Sequence, residues 1–129
     1  MLWPDGSASP ADDPNDHATV LLASYGEFDA LLPADAESNV TVPLRPPPVE
    51  FLKVGHHGSA DPGLPELLEL TRPRIAVISV GENNDYGHPT PSTLAALERA
   101  PGLELYRTDR DGRVTVDADG GRLSVREER

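Results

Sequence analysis

The stretch over residues 75–80 (IAVISV) constrains this chain most tightly, because so dense a run of β-branched residues fits a buried strand. The elements around it can be read outward from there. Leu64–Thr71 reads as a short helix, with Pro65 tolerated in its first turn and Pro73 beyond its end. Residues 91–100 read as a second helix, with Thr90 as N-cap and Pro91 in the first position. Upstream, residues 18–24 and Phe28–Leu32 read as two strands, joined by a tight turn over Tyr25-Gly26-Glu27. Arg45-Pro46-Pro47-Pro48 cannot lie inside a helix and makes a rigid connector to a further strand at 51–54. Downstream, residues 103–108, 113–117 and 122–126 alternate as strands, with turns at Asp111-Gly112 and Gly120-Gly121. The order β-β-β-α-β-α-β-β-β is mixed α/β (α+β), with no internal repeat. Residues 1–17 are a polar lead-in rich in Pro, Asp and Ser, expected as loop or disorder, and residues 18–129 form the domain. Trp3 is the exception in the lead-in and suggests something packed.

The bulk properties exclude several classes. At 129 residues one domain with a real core is expected, made loop-rich by 14 prolines and 11 glycines. A net charge of −11 argues against a broad electrostatic footprint for nucleic acid. Residues 1–50 carry a single base, Arg45, whereas Arg99, Arg107, Arg110, Arg113, Arg122, Arg126 and Arg129 crowd the C-terminal end and read as a solvated face. Without cysteine, disulfides and thiolate metal sites are ruled out. No run is long enough for a membrane helix and no signal peptide precedes the first strand, so the chain is expected to be soluble.

Histidine is scarce, four residues in all, and its placement is informative. His56 and His57 close the strand at 51–54, His88 lies in the loop after 75–80, and Asp35 follows Phe28–Leu32. All therefore fall where a strand gives way to a loop, the edge at which ligands bind in open α/β sheets. Neighbouring strands lie about 5 Å apart and next-neighbours about 10 Å, so side chains from three such ends can converge on one metal ion. An Asp with two or three His is an N/O ligand set suited to zinc, manganese or iron, and hydrolytic in character. The competing reading is structural: a histidine pair capping backbone groups in a polar loop, and His88 satisfied by its own loop. His17, in Asn15-Asp16-His17, is the weakest candidate and reads more readily as a solvated turn residue. Ser59 follows the histidine pair, but no G-x-S-x-G elbow and no phosphate-binding G-x-x-x-x-G-K-[ST] loop is present.

Taken together, Asn15-Asp16-His17-Ala18-Thr19-Val20-Leu21, the segment 28–37, Leu52-Lys53-Val54-Gly55-His56-His57-Gly58-Ser59, the segment 77–89 (VISVGENNDYGHP) and the segment 106–112 (YRTDRDG) resemble successive motifs of one family. They are similar to N-D-N-S-x-V-L, a strand ending in T-G-D, L-K-V-P-H-H-G-S, I-S-V-G-x-N-N-x-Y-G-H-P and Y-R-T-D-x-D-G. The resemblance is to the C-terminal half of the metallo-β-lactamase-fold domain of ComEC/Rec2-type competence proteins. It implies an αββα sandwich that binds one or two divalent ions, zinc or manganese, and hydrolyses a phosphodiester. In that family the domain is appended to a channel in the bacterial cell membrane that passes single-stranded DNA, with the domain extracytoplasmic. By position, Asp35 would be a bridging carboxylate and, with His57, catalytic. His56 or His57 would be a metal ligand, His88 a ligand or its support, and Ser59, Asn83, Asn84 and Tyr86 the pocket rim.

Three departures qualify that expectation. Pro33-Ala34 stands where the family has Thr-Gly, so the turn must be built differently, and Gly55 stands for proline. The H-x-H-x-D-H segment that supplies further ligands is absent. The chain therefore reads as half a domain with an incomplete metal site, inactive in isolation. One face of its sheet should be left for the missing N-terminal half or for self-association. The alternative is a truncated or degenerate fragment with a structural or binding role and no catalysis.

Overall fold

Strand register decides which side of this sheet each residue faces, and the two sides differ sharply. The computed structural model describes residues 1–6, 13–119 and 121–129. Strands β1 (Leu21–Tyr25), β2 (Phe28–Leu32), β3 (Phe51–Lys53), β4 (Ile75–Ile78) and β5 (Glu104–Arg107) form one sheet in that order. β1 and β2 are an antiparallel hairpin closed at Gly26-Glu27, and β2 to β5 run parallel. Leu31, Leu52, Ala76 and Leu105 are register partners and share one face. Ala30, Phe51, Ile75 and Glu104 share the other, since side chains alternate along a strand.

Helices cover the first face. These are α1 (Ser38–Thr41), α2 (Leu64–Thr71) and α3 (Pro91–Arg99). Leu64, Leu67, Leu68 and Thr71 recur at the spacing of one helix face and are buried in α2. With Val40 and Leu97 from the other helices, the three leucines pack on Leu31, Leu52, Ala76 and Ile78 in one core. Arg72, in the left-handed conformation, stops α2 and donates its N–H to Leu68 O. Thr90 caps α3 as the sequence suggests, accepting from Thr93 N. On the second face Ala30, Ile75 and Val77 are buried, whereas Phe51, Lys53 and Tyr106 are half-buried and Leu21 and Tyr25 on the edge strand are exposed.

The element order matches the sequence reading, with additions. The short helices α1 and α4 (Thr108–Asp111) were not expected, nor was the 3-10 turn Gly55–Gly58. Asp111 therefore ends a helical turn rather than forming a two-residue hairpin loop, and Gly112 leads into β6 (Arg113–Ala118). β6 pairs with β7 (Leu123–Glu128) as a separate antiparallel ribbon. Gly120 of the expected turn between them, and residues 7–12 of the lead-in, lie outside the described residues. The described part of the lead-in is tied to the edge of the sheet. Trp3 bridges Val20, and its indole N–H donates to Asp16 O in the 3-10 turn Pro14–His17. Most of the C-terminal arginines are exposed as expected, but Arg107 is largely buried in a two-point pair with Asp109. Among the described residues, no helix is long and apolar enough to cross a membrane.

One-sided helix packing has a direct consequence. Leu52→Ala should cost about 2–5 kcal/mol in urea denaturation, whereas Phe51→Ala, one residue away on the other face, should cost roughly 1–2 kcal/mol. Equal losses would contradict the facing assigned here.

Candidate functional site

Because β2, β3 and β4 run parallel, their carboxyl ends open on one edge, and the segments that follow them meet there. Asp35 comes from the turn after β2, His56 and His57 from the turn after β3, and His88 from the loop after β4. Asp35, His56, His57, Asn84, Tyr86 and His88 line a cleft of about 400 Å³. The structure thus brings the four principal candidates of the sequence reading together.

The histidine turn is held in an unusual backbone conformation. His56 and His57 have φ of 47° and 55°, followed by Gly58 at 83°. The left-handed region costs an L-residue about 1–2 kcal/mol, so the turn must be fixed from outside. His56 N donates to Ala34 O at 2.9 Å, and Thr90 N donates to Gly58 O at 2.9 Å. A Cβ at residue 58 would lie 2.7 Å from Pro89 Cβ, so the backbone of the His88 loop packs directly on glycine.

This conformation aims the two imidazoles differently. His57 Nδ1 lies 2.7 Å from Ser79 O, an acceptor only, so Nδ1 donates there and Nε2 is turned to the cleft. That Nε2 lies 3.4 Å from Asp35 Oδ1. His56 turns the other way: its Nδ1 is 2.9 Å from Glu37 Oε1, which also accepts from Ser59 Oγ at 2.6 Å. The His56 ring meets His88 edge-on with centroids 5.8 Å apart, and His88 in turn stacks against Tyr86 at 5.9 Å.

The His88 loop is pinned at its base and clasped across its middle. Val80 N donates to Thr108 Oγ1 at 2.8 Å, and Thr108 Oγ1 donates to Val80 O at 2.9 Å. Thr108 is itself fixed by the Arg107–Asp109 pair beside it, where the guanidinium holds the Asp109 carboxyl below the usual carboxylate range. Asn84 Nδ2 donates to Gly81 O and His88 O, and Asn84 Oδ1 accepts from His88 N.

Other expected residues fall elsewhere. Ser59 is buried against Glu37 and does not line the cleft. Asn83 is exposed outside it, and His17 is exposed at the end of its 3-10 turn. Among the described residues, no three His, Cys, Asp or Glu come together as a metal-holding group. Two residues were not singled out from sequence: Glu37, whose partners lie 19 and 22 residues away, and Lys53. Lys53 sits on the second face at the end of β3, where burial lowers its pKa and the Asp35 carboxylate opposes that shift. Its position at the start of the histidine motif was the available signal.

The chain is similar in sequence to known proteins. The chain is 33% identical over 131 residues to Recombination protein 2 of Haemophilus influenzae, covering 100% of this chain. It is 33% identical over 114 residues to ComE operon protein 3 of Bacillus subtilis, covering 81%, and 40% identical over 63 residues to Competence protein ComA of Neisseria gonorrhoeae, covering 49%. Over this segment the chain belongs to the ComEC/Rec2 family. It spans 14% and 16% of the length of the Bacillus and Haemophilus proteins. No family model matches the chain, and no solved structure matches it.

Two departures from the ComEC/Rec2 motifs prove to be neighbours. A Cβ at residue 55 would lie 2.5 Å from Ala36 O and 3.6 Å from Pro33 Cγ. The Ala36 carbonyl, in the turn that Pro33 begins, therefore occupies the place where residue 55 would carry a side chain, and glycine there relieves the contact. Ala34 itself has φ of 53°, so an alanine carries a left-handed turn that glycine would carry more easily. Gly55→Ala should cost about 1–3 kcal/mol, while Gly81→Ala, which meets nothing within 4 Å, should stay within about 0.5 kcal/mol. Chemical denaturation of the two variants checks this, and indistinguishable midpoints would refute the close approach.

Proposed function

We propose that this chain forms the C-terminal half of a metallo-β-lactamase-type αββα sandwich in a ComEC/Rec2 protein. In this reading it contributes part of a divalent-metal centre that hydrolyses phosphodiesters of single-stranded DNA during uptake. The observation that carries the proposal is the His57–Asp35 pair: Nε2 and Oδ1 are 3.4 Å apart, with the opposite ring nitrogen engaged by Ser79 O. Two donors on one tetrahedral ion at about 2.0–2.2 Å from it stand at such a separation, and metal-ligating histidines commonly donate their other N–H to a carbonyl. The donor set fits an ion in part, with His57 and Asp35 as its holders, and the remaining ligands come from the other half of the sandwich. The second face of the sheet, half-open at Phe51, Lys53 and Tyr106 and exposed at Leu21 and Tyr25, is the surface that half would cover.

A zinc or manganese ion held there supplies Lewis acidity toward a phosphoryl oxygen and makes water a better nucleophile. The chain's own residues supply orientation. Ser79 O fixes the His57 tautomer, and Asn84 holds the backbone of His88 against the cleft. Tyr86, 83% exposed at the loop tip, offers its ring face to an unstacked base. A second cleft, on the other side of Asp35 and His56, is lined by Asp13, Asp16, Asp61 and Glu66 and repels a phosphodiester. The DNA therefore approaches from the Tyr86 side, by stacking rather than by bulk charge. Membrane-channel partners follow from the family, as does the alternative that this segment only binds or braces. The lack of a three-residue metal group among the described residues favours that alternative for the chain alone.

Calorimetry separates the two. The chain should bind one zinc or manganese ion weakly, with heat abolished in His57→Ala and Asp35→Ala; unchanged binding in both variants would reject the site, and tight binding of two ions would reject its incompleteness. For the substrate, the longer protein should cleave single-stranded DNA with manganese. Absence of cleavage would remove the nuclease reading. Tyr86→Ala should weaken binding of single-stranded DNA by about 1–3 kcal/mol while Tyr86→Phe retains it.

A further inference from the structure

We propose that Glu37 is a positioning residue that sets the tautomer and aim of His56. The inference rests on the metal-site reading above for its purpose, but its geometry stands apart from it. Glu37 is the N-cap residue of α1, yet its side chain makes no capping bond there. Its backbone already does that work: the carbonyl accepts from Val40 N and Thr41 N, both at 3.0 Å, and from Thr41 Oγ1 at 3.1 Å. The carboxylate is thereby released from α1 and turns to the histidine loop. There one oxygen, Oε1, accepts from both Ser59 Oγ and His56 Nδ1.

For the neutral ring the hydrogen-bond logic allows one assignment. A carboxylate is acceptor-only, so a neutral His56 carries its proton on Nδ1 and leaves a lone pair on Nε2. A free neutral imidazole favours the other tautomer, so Glu37 works against that intrinsic preference. Ser59 donates its hydroxyl proton to the same oxygen and is buried, which fixes the carboxylate in place and removes Ser59 as a nucleophile. His56 and Glu37 are each 28% exposed, so bulk water competes only in part. Both histidines of the pair thus engage an acceptor through Nδ1, one a carbonyl and the other a carboxylate. Ser38, next in sequence, is instead held by Asp61 through its N–H at 2.9 Å and through its hydroxyl. That clamp fixes the segment independently of the Glu37 side chain.

The test reads the imidazole nitrogens directly. Long-range proton–nitrogen correlation spectra of the metal-free 129-residue chain, above about pH 8 where imidazoles are neutral, should show His56 as the Nδ1–H tautomer. Glu37→Ala should shift it toward Nε2–H, and Glu37→Gln, whose carbonyl still accepts, should restore it. His57 should be unchanged in both variants. An Nε2–H tautomer in the wild-type chain, or no change on Glu37→Ala, overturns the proposal; the wild-type spectrum decides even if Glu37→Ala does not fold. If zinc does not bind the wild-type chain at all, the metal reading fails while the tautomer result still decides the role of Glu37.

Discussion

Parallel pairing of β2, β3 and β4 is the constraint on which everything else in this molecule depends. Those ladders align three strand ends on one edge, so residues separated by up to half the chain need only a short turn each to meet. The pairing is in turn stabilised by burial, because Leu31, Leu52 and Ala76 face the same helices in register. A slip of one residue in β3 would exchange Leu52 for Phe51 in the core and move both histidines to a different height. Core and site are thus specified by one set of backbone hydrogen bonds.

The histidine turn shows what the site demands of the fold around it. Two consecutive left-handed histidines cost about 2–4 kcal/mol together, a sizeable share of the roughly 5–15 kcal/mol by which a domain is stable. Their conformation is retained because neighbouring backbone leaves little alternative: Ala34 O on one side, Thr90 N on the other, and Pro89 over Gly58. Such local strain concentrates at functional sites. The hydrogen bonds of the histidine rings also use acceptors of different kinds, which gives two identical side chains different environments within one turn.

Much of the fold was legible because its signals are local. The β-branched run in β4, the leucine spacing of α2 and the Thr90-Pro91 start of α3 each identify an element without reference to the rest of the chain. The four-residue helix α1 was not legible, since it is too short for a periodic pattern and Asp61, far along the chain, binds its first residues. The same separation hid Glu37. Asp35 and the histidines were visible because they stand at strand ends and histidine is scarce, whereas Glu37 was marked only as the acidic residue that follows the T-G-D-like turn, with no indication of its partners. Ser59 was misplaced at the rim because sequence adjacency to His57 says nothing of which way a side chain turns once φ changes sign.

The loop that carries His88 has its fastenings at Val80, Asn84 and Thr90, and none of these involves the side chain of Tyr86. The backbone under the imidazole is therefore anchored without the tip, and the Tyr86 ring meets the imidazole only through their stacking. Substitution at the tip can change what lies over one face of His88 while the fastenings of the loop stay in place, so the surface of the cleft can vary on a fixed backbone frame.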